Sequence, residues 1–331
     1  MNFIVVIHMP HSSSNGGTTC EFEMARRIAE HGYETKVYYP FDSGSVVSGI
    51  YDKFATLEDV NDDTVAIYCA HRIEDNLNPL NAKRVVRWVA FGLQKELYNE
   101  FKDSDIIYYH APFCKNNIAS NRLFSCFLSP EVKNRYERRS IDLCYTIKKG
   151  ILMAKNRYRI EKNVFPHTFF STGPISFLRR QTEPMFLDGH KLALDDAVSI
   201  FNKSKYFFCY DPCCFLVIVA LLCGCIVIQD PVDGYTEEEW MHAVGIPKKL
   251  NGFAYGLENI KWAQKTIGGA YGPCMEYVAQ SDTSIKKFVH EMETGTYNKE
   301  PCYKYEETYA PMTFLFPHTL GKIDRVVFVT V

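Results

Sequence analysis

The chain has 331 residues, of which 47% are hydrophobic, 14% aromatic and 23% charged, ordinary values for a folded globular protein. That length favours two compact domains and excludes a disordered chain, a collagenous repeat or a small disulfide scaffold. With 37 Lys and Arg against 39 Asp and Glu the formal net charge is −2, so no overall basic excess points to nucleic acid as a partner.

The run Asn2 to Met9 is rich in Val and Ile and reads as a first strand buried on both faces. Its apolar centre, Phe3 to Ile7, is five residues long with no basic stretch before it, which does not suit a secretory signal. A polar loop with Asn15, Gly16 and Gly17 follows. A helix then places Phe22, Ala25 and Ala29 on one face, with Gly32 at its end, and Glu34 to Tyr39 returns as a strand. This strand–loop–helix–strand opening predicts a parallel, doubly wound sheet. Thr64 to Cys69, Arg84 to Val89 and Asp105 to Tyr109 are the next strands.

From Lys133 to Lys162 ten Lys and Arg stand against three acids, a local net charge of +7. A domain boundary is placed at its start, giving domains 1–135 and 136–331. In the second domain the predicted elements are a strand over Asp142 to Ile147, a helix carrying Leu194, Ala197, Val198 and Phe201, and a strand over Lys205 to Tyr210. A buried helix over Cys213 to Cys223 and a strand over Cys225 to Gln229 follow. The apolar stretch Cys213 to Ile228 has 16 residues with Gly224 inside, short of the ~20 that span a bilayer, so no transmembrane segment is expected. Thr236 and Glu239 form a capping box for a short helix ended by Gly245 and Pro247. A later helix carries Ile285, Phe288, Val289 and Met292 on one face, with Gly295 past its end. Val326 to Val331 reads as a terminal strand. Twelve cysteines are too dilute for a disulfide framework, and reduced thiols in a cytoplasmic setting are expected.

Asn15, Gly16 and Gly17 offer backbone N–H groups at a helix N-terminus, suited to phosphate or sugar hydroxyls, although a tight turn accounts for them equally well. They lack the third glycine of a dinucleotide fingerprint, which argues against a Rossmann dehydrogenase or methyltransferase. Asp103-Ser104-Asp105 has the form of a metal-binding D-x-D, but it precedes a strand and reads as a loop. Cys213, Cys214, Cys223 and Cys225 lie in a continuous apolar stretch without His or acid, so buried thiols are favoured over zinc. His110 follows a strand at the carboxyl edge, where open sheets bind ligands, and either lines a site or hydrogen-bonds within its loop; His71 is placed comparably. A carboxylate at Asp211, beside a helix begun by Pro212, suits a sugar nucleotide or serves as a plain N-cap.

Ser204-Lys205-Tyr206-Phe207, Tyr210-Asp211-Pro212 and Ala220 to Ile228 (ALLCGCIVI) resemble the donor block of GT-B glycosyltransferases with a Glu-x7-Glu motif. Gly16-Gly17 with the helix and strand FEMARRIAEHGYETKVYY resembles the N-terminal signature of the same family. Asn78 to Lys83 with Val85 to Trp88 resembles a stretch of some polysaccharide glycosyltransferases. The likeness covers roughly residues 1–40, 64–90 and 140–240. Asp211 stands where the family has its first Glu and Val219 where it has the second, so the nucleotide ribose would be held otherwise.

The resemblance implies two Rossmann-like domains facing across a cleft, an acceptor side in 1–135 and a donor side in 136–331. It implies transfer of a sugar from a nucleotide sugar to a glycan or other hydroxyl acceptor, without a metal or other cofactor. Asp211 would orient the donor sugar. Lys148 or Lys149, with Arg138 and Arg139 nearby, would stabilise the departing diphosphate, and His110 would line the reacting centre. Tyr210, Cys213, Cys214 and Phe215 complete the donor block, the cysteines through backbone N–H groups. His110, His71, Glu74 and Asp42 are the candidate bases for an inverting reaction. The competing readings are a sugar-nucleotide epimerase on the same fold and a non-catalytic glycan- or nucleotide-binding protein. A GT-B chain more often ends with a helix crossing back to its first domain, and the last 35 residues do not match that.

Overall fold

A computed structural model of the chain describes residues 1–10, 16–41, 49–69, 77–90, 100–112, 121–146, 185–186, 194–209, 215–232 and 235–297. They form two compact units, each built on a parallel sheet.

The first unit contains Met1–Phe127, His242–Gly245 and the described residues from Tyr277 onward. Its strands are β1 (Asn2–Val6), β2 (Glu34–Tyr38), β3 (Thr64–Cys69), β4 (Arg84–Val89), β5 (Ile106–Tyr109) and β6 (Asn121–Arg122), in the order β2-β1-β3-β4-β5-β6. Every pairing is parallel, with Val5 opposite Val37 on one side and Ile67 on the other. All six residues of β3 are buried, as covered parallel strands require. Helix α1 (Gly16–Glu30) buries Phe22, Ala25 and Ile28 against this sheet. It stops at Gly32, whose φ of +91° a side chain would resist and whose N–H returns to the Ala29 carbonyl at 3.0 Å.

The second unit contains Leu128–Met241 and Ile246–Glu276. Strands β7 (Ile141–Thr146), β8 (Met185–Phe186), β9 (Ser204–Cys209), β10 (Ile226–Gln229) and β11 (Phe253–Tyr255) pair in the order β11-β10-β9-β7-β8, again all parallel. Helices α2 (Leu194–Lys203), α3 (Leu216–Leu222), α4 (Glu237–Val244) and α5 (Ile260–Thr266) accompany them, the last residues of α4, from His242, belonging to the first unit. The capping box forms as expected: Glu239 accepts from the Thr236 N–H at 2.8 Å, and the Glu239 N–H donates to Thr236 Oγ1 at 3.3 Å. Helix α3 has seven residues from Leu216, and Gly224 at φ +83° turns the chain into β10; Cys213 and Cys214, where the expected helix begins, lie outside the described residues.

The chain then returns. Helix α6 (Tyr271–Thr294) presents Ile285, Phe288, Val289 and Met292 to the core of the first unit, beside Phe3, Trp88 and Tyr108. Tyr108 donates to Glu291 at 2.8 Å, Arg84 to the Met292 carbonyl at 2.8 Å, and the Phe124 N–H to Ser284 at 2.8 Å. A division at residue 135 therefore differs from the compact units, which change over at Phe127–Leu128 and share the C-terminal helix. The helix that crosses back, sought among the last 35 residues, is α6. The expected strand Val326 to Val331 lies outside the described residues. No helix among the described residues is long and apolar enough to cross a membrane.

Candidate functional site

The carboxyl edge of the first sheet carries a buried polar cluster. Beyond β1 the chain reaches His8, the adjacent β3 ends at Cys69, and α1 opens at Gly16 and Gly17. From the second turn of α1, Glu21 reaches back to the edge. Its Oε1 lies 2.5 Å from His8 Nδ1, and its Oε2 accepts the His8 backbone N–H at 3.4 Å. The Cys69 thiol hydrogen-bonds the same carboxylate. His8, Glu21 and Cys69 are only 7%, 1% and 3% exposed. Burial raises the Glu21 pKa, and the hydrogen bond and charge of His8 counteract that rise.

A carboxylate on Nδ1 orients an imidazole and selects the tautomer whose Nε2 is the basic nitrogen. Sequence reasoning passed over this pair. One signal was present: Glu21 lies four residues before Ala25 and seven before Ile28, so it falls on the core stripe of α1. A carboxylate on a core stripe needs a partner. His8, directly past the first strand, is that partner.

Gly16 is exposed, and a Cβ there would meet no atom of the described residues within 4 Å. Packing among the described residues therefore does not demand glycine at this helix start, which leaves room for close backbone approach by a ligand.

His110 follows β5 at the same edge. Its ring lies 5.4 Å from Trp88 and 5.0 Å from Phe124, centre to centre. Its backbone N–H donates to the Val89 carbonyl at 2.8 Å, and its Nδ1 has no hydrogen-bond partner among the described residues. Burial first, then the positive charge of Arg122, push its pKa down to about 3. His110 is thus a neutral imidazole at ordinary pH and a poor proton acceptor. Arg122 reaches the His110 carbonyl at 3.4 Å and Gln280 at 3.2 Å.

In the second unit Arg139 donates to the carbonyls of Phe201 (2.8 Å), Asn202 (2.6 Å) and Cys223 (2.9 Å). It ties the C-terminal ends of α2 and α3 together just before β7 begins, at the amino edge of that sheet. These bonds engage the guanidinium with backbone carbonyls. Phe215 is half-buried just before α3, its carbonyl accepting the Ile218 N–H at 3.0 Å. Val219, the position of the family's second acid, is fully buried in α3. An ionised carboxylate there would sit in the apolar core. Asn15, Lys148, Lys149, Tyr210, Asp211, Cys213 and Cys214, with His71, Glu74 and Asp42, lie outside the described residues.

The D-x-D resolves into structure. The Asp105 side chain is buried and ion-paired to the buried Arg87 at 2.8 Å, while Asp103 is exposed. The thiols of Cys223 and Cys225 are buried, Cys223 pushed up to about 12, and Cys225 donates to the Phe201 carbonyl at 3.0 Å.

No protein-family model and no curated protein matches the chain. Among solved structures it is similar to an O-GlcNAc transferase mutant from Thermobaculum terrenum, at 12% identity and a TM-score of 0.55, over 90% of this chain and 67% of that one. An alpha-glucosyltransferase in complex with UDP aligns over 89% of this chain and 98% of its own, at 11% identity and TM-score 0.45. T4 phage BGT in complex with UDP-glucose aligns over 89% and 97%, at 9% identity and TM-score 0.42. The first of these carries the comparison. With the two parallel sheets and the returning helix, it shows that the chain has the GT-B fold, two Rossmann-like domains in one chain.

Proposed function

We propose that this protein is a glycosyltransferase that moves a sugar from a nucleotide-sugar donor to a hydroxyl of a glycan or other acceptor. The observation that carries the reading is the buried His8–Glu21 pair at the carboxyl edge of the first sheet, beside the start of α1, in a chain of GT-B fold. In this reading His8 accepts the proton of the acceptor hydroxyl through Nε2, and Glu21 holds the ring and stabilises the imidazolium that forms. His8 takes the base role for which His110, His71, Glu74 and Asp42 are the sequence candidates, and the lowered pKa of His110 suits a neutral ring lining the site.

The donor side rests on the sequence resemblance. Asp211 orients the donor sugar, and the backbone at Cys213, Cys214 and Phe215, with Tyr210, cradles the diphosphate. Lys148 or Lys149 neutralises the leaving nucleoside diphosphate, so that no metal is required. The N–H groups at Asn15, Gly16 and Gly17 complete the helix start that faces the substrates.

The test is a thermal-shift screen of nucleoside diphosphates and their sugars, with and without chelator, followed by product analysis with the donor that binds. A ligand at a hundredfold excess over Kd stabilises the folded state by about 2.7 kcal/mol. A chelator-resistant shift with one diphosphate, and sugar transfer lost in Asp211→Ala, is the expected result. Binding of no nucleotide would overturn the donor reading, and transfer undiminished in Asp211→Ala would overturn the donor-site assignment.

A further inference from the structure

The trio at the edge of the first sheet has a second chemistry. A ring nitrogen of His8, a Glu21 carboxylate oxygen and Cys69 Sγ all lie within 4.8 Å of one another, and all three residues are buried; Nδ1 is the nitrogen that faces Glu21. They come from three separate places in the chain, and the parallel pairing of β1 with β3 and the packing of α1 bring them together. We propose that His8, Glu21 and Cys69 form a binding site for one zinc-class divalent cation.

Charge supports this assignment. A neutral imidazole, a carboxylate and a thiolate carry two negative charges, which one divalent cation cancels, leaving a neutral buried site. The ligand set selects the ion: thiolate with imidazole and one carboxylate suits zinc, whereas calcium and magnesium take oxygen ligands. Three protein ligands leave a fourth tetrahedral position for water. Bonds of about 2.0 Å to nitrogen and oxygen and about 2.3 Å to sulfur require His8 and Glu21 to separate by less than about 1 Å from hydrogen-bond contact. On binding, the Cys69 thiol releases its proton to solvent and His8 carries its remaining proton on Nε2.

A protonated Nε2 cannot act as a base, so the bound metal would switch off the transfer proposed above. That consequence rests on the transferase reading; the binding itself does not. The experiment therefore measures binding alone, with Co²⁺ as the probe on the chelator-treated full chain. The expected result is one Co²⁺ per chain with a near-ultraviolet thiolate charge-transfer band, displaced by Zn²⁺. The band is lost in Cys69→Ser and kept in Cys274→Ser, a buried thiol elsewhere, with circular dichroism showing both variants folded. His8→Ala weakens Co²⁺ binding at least tenfold. A band that survives Cys69→Ser, or its absence from the folded unsubstituted chain, overturns the site.

Discussion

His8 Nδ1 and Glu21 Oε1 stand 2.5 Å apart, 13 residues apart in sequence, in side chains that are almost wholly buried. A strand end supplies one and the core stripe of a helix the other. Neither residue is placed there for packing alone, because an unpartnered carboxylate at that depth would cost several kcal/mol. The pair predicts a division of labour. His8→Gln lowers turnover by about 10²–10⁴-fold, as loss of a general base does. Glu21→Gln lowers it less, since the amide still accepts from Nδ1–H but no longer balances the imidazolium. Both variants keep the thermal shift given by the nucleotide. Steady-state kinetics beside thermal shift checks this, and unchanged turnover in His8→Gln removes His8 from the chemistry.

His110 predicts acid sensitivity. Its pKa falls from an ordinary 6.5 to about 3 in the folded chain. Between these values the unfolded state holds more protons than the folded one, so stability falls as pH falls from 6.5 toward 3. The slope reaches about 1.4 kcal/mol per pH unit for a fully protected ring and is smaller for this half-buried one. His110→Gln removes the titration, and urea melts at pH 7 and pH 5 should diverge less for the variant than for the parent. Equal divergence would place the acid sensitivity elsewhere.

Arg87 and Asp105 predict a structural cost and no metal effect. The guanidinium donates to Asp105 and to the Leu77 carbonyl and lies 5.0 Å from the ring centres of both Tyr68 and Phe101. Asp105→Asn leaves a buried cation without its counter-charge and costs about 3–5 kcal/mol. Asp103→Asn, at an exposed side chain, costs about 0.5 kcal/mol or less. Denaturant unfolding separates the two, and Mg²⁺ or Mn²⁺ shifts neither midpoint if Asp105 is committed to Arg87.

Gly224 and Arg139 predict coupling. A Cβ at Gly224 would lie 2.5 Å from both Arg139 Nη2 and Asn134 Nδ2, at a φ of +83°. Gly224→Ala therefore meets about 1–2 kcal/mol of left-handed backbone strain and also displaces the guanidinium that ties α2 to α3. In an Arg139→Met background the additional cost of Gly224→Ala shrinks, leaving the strain and the contact with Asn134. A double-mutant cycle reads this directly, and strict additivity would mean the two residues do not compete for space.

Most of the fold was legible in the sequence. Val- and Ile-rich runs buried on both faces marked β1, β3, β4 and β10, because parallel strands covered on two sides admit few polar residues. Gly32, the Thr236–Glu239 box and the stripe from Ile285 to Met292 marked helix ends and faces, since capping and periodicity are local physics. β11 has three residues and β6 has two, too few to leave a pattern. The return of α6 to the first unit was not legible either: an apolar stripe shows that a helix is buried, and only the assembled core shows against which sheet.

The site divides in the same way. The sequence by itself determined the parallel α/β class, the glycine-opened helix after β1 and the placement of His110 after β5, all of them consequences of local residue order. Tertiary structure alone decided that Glu21 turns inward to His8 and Cys69. It also decided that Arg139 and Asp105 are committed to carbonyls and to Arg87, and that His110 is held neutral between aromatic rings. A side chain's pKa and partners depend on groups brought near it by strand pairing and helix packing, and those neighbours are distant in the chain.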